Sequence, residues 1–214
     1  MTDASGLSRR GLIGSVGAGA ALALAGSGAL YAYGREAARQ PTGTTHPFYG
    51  VHQAGITTAA QDRLHFGAFD LNPSATREDL IGLLRDWTAA AARLTQGLGA
   101  GTFGPLSGPY DAPPDDTGEA IGLDPAGLTI TFGFGPSLFA GPTGRDRFGI
   151  AARRPEALNR LPHFPGDALD LAASDGDVCV QACSNDPQVA VHAIRNLTRI
   201  AMGRASLRWS QLGF

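Results

Sequence analysis

Four short apolar runs and two helix-period stripes, in the order strand, helix, strand, strand, helix, strand, predict an α+β fold of the ferredoxin-like, split βαβ class. The chain of 214 residues has room for one ordinary domain. Its Gly 30 and Pro 14 place long turns between compact elements. Because helix crossovers are right-handed, both helices are expected on one face of an antiparallel sheet. The other face then needs a cover.

Residues 1–34 read as an address. Ser8-Arg9-Arg10-Gly11-Leu12-Ile13 leads into an apolar, Gly/Ala-rich run through Leu30, which is the charged start and apolar middle of an export signal. The paired arginines make it resemble a twin-arginine (Tat) signal. Gly11, Gly14, Gly17, Gly19, Gly26 and Gly28 interrupt the run. Each glycine costs about 1 kcal/mol in a helix relative to alanine, which disfavours a permanent membrane span. Ala32-Tyr33-Gly34 is a small-x-small cleavage candidate, with Ala29 and Ala37-Ala38 as competitors. The expected partner is the Tat translocase, and the expected location is the periplasm, cell envelope or exterior. Tat substrates cross folded, often with a cofactor already inserted, so a cofactor-bearing exported enzyme is the leading class.

Residues 35–46, with Pro41 and Gly43, form a linker, and 47–214 form the domain. Arg63 to Leu71 is apolar enough for the first strand. Thr76, three residues before Asp79, makes a capping-box variant. Behind it Leu80, Leu84, Trp87, Ala91 and Leu94 fall at helical spacing, and Gly97 stops the helix. After a Gly/Pro loop to Gly127, Leu128 to Phe132 alternates as the second strand. Another loop-rich stretch runs from Gly141 to Gly176, and Val178 to Cys183 is the third strand. Asp186-Pro187 supplies an N-cap and first-turn proline for a helix striped by Ala190, Ile194, Leu197 and Ala201, closed by Gly203. Ser206 to Leu212 is the fourth strand.

Composition excludes several chemistries. The formal charge of -2 carries no basic field for nucleic acid. All 17 basic residues are arginine, which rules out a P-loop lysine, a Schiff-base lysine and a Ser-Lys pair. Gly99 to Gly104 fits G-x-G-x-x-G, but it follows a helix and runs into Pro105, so it is no dinucleotide fingerprint. Cys179 and Cys183 lie too far apart along one strand to bridge each other and are expected as buried free thiols. His46, His52, His65, His163 and His192 show no metal-site spacing. His192, beside the second helix stripe, is expected as a packed or surface imidazole. Asp111, Asp115, Asp116 and Glu119, around Pro113-Pro114, are expected in a surface turn. Asn196-Leu197-Thr198 fits a glycosylation sequon but falls inside a helix. Residues alone show no active site.

Longer stretches carry a resemblance. They are Tyr49 to Ile56 (YGVHQAGI), Pro113 to Ala120 (PPDDTGEA), Leu128 to Phe139 (LTITFGFGPSLF), Leu161 to Asp167 (LPHFPGD), Val180 to Ala190 and Arg208 to Phe214 (RWSQLGF). In this order, over roughly residues 47 to 214, they resemble the dye-decolorising (Dyp-type) haem peroxidase family, in the Tat-exported subgroup that includes the deferrochelatase-like iron-uptake proteins.

The resemblance implies two ferredoxin-like domains, this being the first, a b-type haem, and oxidation of dyes or other bulky reductants by hydrogen peroxide. It also implies a distal Asp in a G-x-x-D-G motif, a distal Arg and a proximal His on iron, all beyond the matching segments. Ala172 to Gly176 lacks the first glycine of that motif, so the distal role is not carried to Asp175. The expectation is an N-terminal half with no catalytic residue and no metal ligand of its own, unable to turn over alone. Haem and peroxide would be engaged through the C-terminal half, and self-association is expected through the uncovered sheet face. Haem deferrochelation in iron uptake is the alternative within the family. A non-enzymatic exported binding or assembly module is the alternative outside it.

Overall fold

A computed structural model describes residues 43–141 and 144–214, so the expected signal segment and most of the linker lie outside the described residues. The elements are β1 (Arg63–Leu71), α1 (Arg77–Leu94), β2 (Thr129–Phe134), a one-turn α2 (Pro136–Phe139), β3 (Val178–Ser184), α3 (Pro187–Ala201) and β4 (Ala205–Gly213). Two 3-10 turns, Ala151–Arg153 and Leu171–Ala173, interrupt the long connection before β3. Periodicity predicts neither these turns nor α2, because a single turn is shorter than the window over which a helical period shows. The strands form one antiparallel sheet in the order β2-β3-β1-β4. β3 is thus inserted between the parallel pair β1 and β2, which is the predicted ferredoxin-like, split βαβ arrangement.

Local chemistry sets the helix ends. The Asp79 N–H donates to Thr76 Oγ1 at 3.2 Å, and the Thr76 N–H donates to the Asp79 carboxylate at 2.8 Å. This reciprocal capping box contributes about 1 kcal/mol. Gly97 ends α1 at φ 72°, where the Leu98 N–H reaches Arg93 O, a left-handed conformation that glycine adopts without strain. At α3 the Asp186 carboxylate accepts from the Gln188 N–H at 2.8 Å and Pro187 occupies the first turn.

Both long helices cover one sheet face. Phe69 and Leu71 of β1, Val178, Val180 and Ala182 of β3, and Ile130 of β2 are buried there with Leu83, Trp87, Ala193, Ile194 and Leu197. Trp87 is the centre of this layer. It stacks on Phe132 (centroids 5.6 Å, planes 9° apart), meets Phe69 edge-on at 5.1 Å, and donates its Nε1–H to Leu197 O at 2.8 Å. That bond satisfies the one polar atom of a fully buried indole and ties α1 to α3. The buried stripe of α1 includes Leu83 and Ala90, while Leu84 packs at the margin. Steps of three and four residues both return to one helix face, and tertiary packing chose between them.

Each sheet edge has its own treatment. The Gln53 amide pairs with the edge strand β2, donating to Phe132 O at 3.1 Å and accepting from Phe132 N at 2.9 Å. One side chain thereby imitates a neighbouring strand and blunts the edge. Thr131 Oγ1 donates to Ala54 O at 2.7 Å, so the 53–56 segment also lies over one face of β2. At the other edge the β1–β4 register shifts between Ala68 and Phe69, with Ala68 opposite Trp209 and Phe69 opposite Leu207. Arg208 is the extra residue of this bulge, and its side chain shares a sheet face with Trp209.

Candidate functional site

Alternation along the strands defines the sheet face that α1 and α3 leave uncovered. β3 buries Val178, Val180, Ala182 and Ser184 under the helices, so Cys179, Gln181 and Cys183 point the other way, each half-buried. From β1 they are joined by Leu64 and Phe66, and from β4 by Trp209 and Gln211. Phe66 and Trp209 stack with centroids 5.2 Å apart and planes 22° apart.

The chain covers one end of this face itself. Arg208 donates to Ser174 O at 2.7 Å and Leu171 O at 3.1 Å and pairs with Asp70 at 3.0 Å. Trp209 Nε1 donates to Asp175 O at 2.9 Å. The bulge thus straps the 171–175 segment over the end of β1. Asp175 itself has a positive φ of 64° and an exposed ion pair with Arg160 at 3.0 Å. The uncovered face is therefore smaller and more mixed than a bare apolar sheet, with two glutamines and two thiols among its aromatic and aliphatic groups.

Iron porphyrin needs a flat wall and an axial ligand. The open face carries the Phe66–Trp209 aromatic pair but no histidine. His65 is buried on the helix side with Nδ1 unpaired, and burial pushes its pKa down. His52 and His163 are exposed in loops. Burial pushes the Cys179 and Cys183 thiols up, away from the thiolate that ligation requires. The thiols are free and half-buried rather than enclosed. Residues on this face do not by themselves fit a haem. No group of three or more His, Cys, Asp or Glu able to hold a metal occurs among the described residues.

The acidic loop departs from expectation. Asp111 and Pro113-Pro114 are exposed as a surface turn requires, but Asp116 is buried and Glu119 half-buried. Asp116 accepts from Ala100 N at 2.6 Å and Gly118 N at 2.7 Å, and lies 3.4 Å from His192 Nε2. Glu119 lies 3.0 Å from His192 Nδ1 and pairs with Arg195 at 2.9 Å. The sequon residue Asn196 is fully buried: its amide donates to Thr117 Oγ1 at 2.7 Å and its carbonyl accepts from Thr117 N at 3.1 Å. His192 is thus a packed imidazole, enclosed by carboxylates rather than by the apolar stripe alone. Sequence reasoning missed this cluster because Glu119 and His192 are 73 positions apart. The dense polar string from Asp115 to Glu119 was the only local signal.

With that geometry in place, comparison with known proteins decides the kinship. The family described as Dyp-type peroxidase, N-terminal, matches residues 53–214. The chain belongs to the Dyp-type peroxidase family. A deferrochelatase from Escherichia coli O6:K15:H31 is 38% identical over 97% of this chain and 48% of its own length. A DyP-type peroxidase structure from Streptomyces coelicolor superposes with TM-score 0.69 at 41% identity, over 80% of this chain and 42% of that one. Ferric DtpA from Streptomyces lividans gives the same 0.69, 41%, 80% and 42%. The chain spans about half the length of the curated relatives it matches. In this Dyp-type domain, the family match covers every described strand and both long helices, together with the acidic loop and its His192 partner.

Proposed function

We propose that this chain is the amino-terminal half of an exported haem peroxidase that oxidises dyes or other bulky reductants with hydrogen peroxide. The carrying observation is the half-covered sheet face of Leu64, Phe66, Cys179, Gln181 and Trp209 in a chain that matches half of its family relatives. A mixed, partly aromatic face of this kind is suited to packing against a second domain. In this reading b-type haem, its proximal His and the distal Asp and Arg belong to the carboxy-terminal half, and bound haem supplies the redox chemistry. The residues of this chain do the framing. Phe66 and Trp209 form a rigid aromatic patch, the Arg208 strap fixes the 171–175 segment beside it, and Gln53 closes the far edge. Arg9-Arg10 supports export through the Tat translocase to the periplasm, envelope or exterior.

A haemin titration tests the proposal. The 214-residue chain is expected to give no stoichiometric Soret band, and the full-length product of its gene to give one together with peroxide turnover. A one-to-one, His-ligated spectrum and turnover from residues 1–214 alone would overturn it. Deferrochelation is the second reading, favoured by the name of the curated relatives. Iron release that leaves intact, fluorescent porphyrin in the full-length protein would select it.

A further inference from the structure

Both ring nitrogens of His192 face carboxylate oxygens, Nδ1 toward Glu119 at 3.0 Å and Nε2 toward Asp116 at 3.4 Å. A neutral imidazole carries one N–H, so one lone pair would then oppose an anionic oxygen inside a buried site. Asn196 Nδ2 also lies 3.1 Å from His192 Nδ1, but its two hydrogens are taken by the shorter contacts to Thr117 Oγ1 at 2.7 Å and His192 O at 3.0 Å. Only the imidazolium satisfies both carboxylates.

The cluster joins two pieces of the fold. The loop between α1 and β2 supplies Asp115, Asp116, Thr117 and Glu119, and α3 supplies Gln188, His192, Arg195, Asn196 and Arg199. From α1, Arg93 reaches the same loop, donating to Gly99 O at 2.8 Å and Gly101 O at 2.7 Å. From the sheet below, His65 is the titratable group on the helix side. With His192 charged, Asp116 and Glu119 are balanced by His192 and Arg195. With His192 neutral, one buried negative charge is left over beside Asp116.

We propose that His192 is a protonation-controlled latch, whose positive charge fastens the loop between α1 and β2 to α3 and whose loss lets that loop lift away. This device is independent of haem. Burial opposes the charge on His192, but hydrogen bonds and attraction from Asp116 and Glu119 outweigh it and raise its pKa above 6.5. A raised folded-state pKa means that the latch is fully closed below the ordinary imidazole value and is lost as pH rises through the raised one.

The experiment is amide hydrogen exchange on the full chain between pH 5.5 and 8.5, corrected for intrinsic rates. The loop amides of Ala100, Thr117 and Gly118 are read against β1–β3 ladder amides. Loop protection is expected to be flat below pH 6.5, then to fall about tenfold per pH unit up to the pKa of His192. Ladder amides stay constant, and H192Q abolishes the slope. Equal loop protection at pH 5.5 and 8.5, or an unchanged slope in H192Q, would overturn the proposal. Should H192Q fail to fold, NMR titration of the His192 ring in the unaltered chain decides: a value above 6.5 supports the latch and one at or below 6.5 refutes it.

Discussion

Trp209 of β4 stacks on Phe66 of β1 at 5.2 Å on the sheet face that neither long helix covers, and its indole N–H holds Asp175 O at 2.9 Å. One side chain therefore fixes both the centre of the open face and the strap across its end. Trp209→Ala is expected to reduce self-association of the chain, read as a lower weight-average mass in sedimentation. Its cost in stability should be about 1–2 kcal/mol, well below that of a buried tryptophan. Unchanged self-association would show that other surfaces drive it.

Trp87 is the contrasting case, with no exposed surface and a hydrogen bond to Leu197 O. Trp87→Phe keeps an aromatic ring but leaves a cavity and removes the donor, for a loss of about 1–3 kcal/mol. Urea unfolding should show a lower midpoint at constant slope. An unchanged midpoint would mean that the link between α1 and α3 is energetically idle.

Gly135 follows the last residue of β2, and its N–H donates to Asp177 O at 2.9 Å. A Cβ at this position would overlap the carbonyl oxygen of Gly176. Backbone cannot swing aside as a side-chain tip can, so Gly135→Ala should destabilise by about 1–3 kcal/mol. Gly144→Ala offers a control with free space but a left-handed φ of 74°. Its cost should be smaller, about 1 kcal/mol from backbone conformation alone. Equal midpoints for the two variants would refute the clash.

The Gln53 amide pairs with both backbone groups of Phe132 in the edge strand β2. Gln53→Ala is expected to cost about 1 kcal/mol and to raise the aggregation rate on mild heating, because β2 then offers an unpaired edge. Light scattering at fixed temperature reads this directly, and an unaltered rate would count against edge protection.

Glu119 supplies the acid side of pH dependence. Partial burial opposes its charge, but hydrogen bonds from His192, Thr117 and Arg195 hold its pKa down to about 2. A depressed folded-state value contributes stability that is present above 4.5 and lost as pH falls toward 2. The midpoint difference between the unaltered chain and Glu119→Gln should therefore be largest above pH 4.5 and shrink below it. A difference independent of pH would assign the effect to shape rather than charge.

How much was readable from sequence depends on the range of the interaction. The Thr76 capping box, the Asp186-Pro187 start of α3 and the alternation of β3 are set by residues within four positions of one another. Each was readable because cap geometry and side-chain period are local. Strand order followed from those elements, since right-handed crossovers leave few alternatives. Leu83 replacing Leu84 in the core was not readable, because both fit the helical period and only the packed partner distinguishes them.

The split βαβ order, the helix ends, the family stretches and the exclusion of lysine-dependent chemistry all follow from the order of amino acids. Tertiary structure alone decided that Asp116 and Glu119 enclose His192, that Asn196 is buried rather than offered to a sugar, and that Arg208 bulges out beside Trp209. The reason is physical. Local periodicity says which face a residue takes, but charges spaced 73 positions apart acquire their pKa values only after folding removes water from between them.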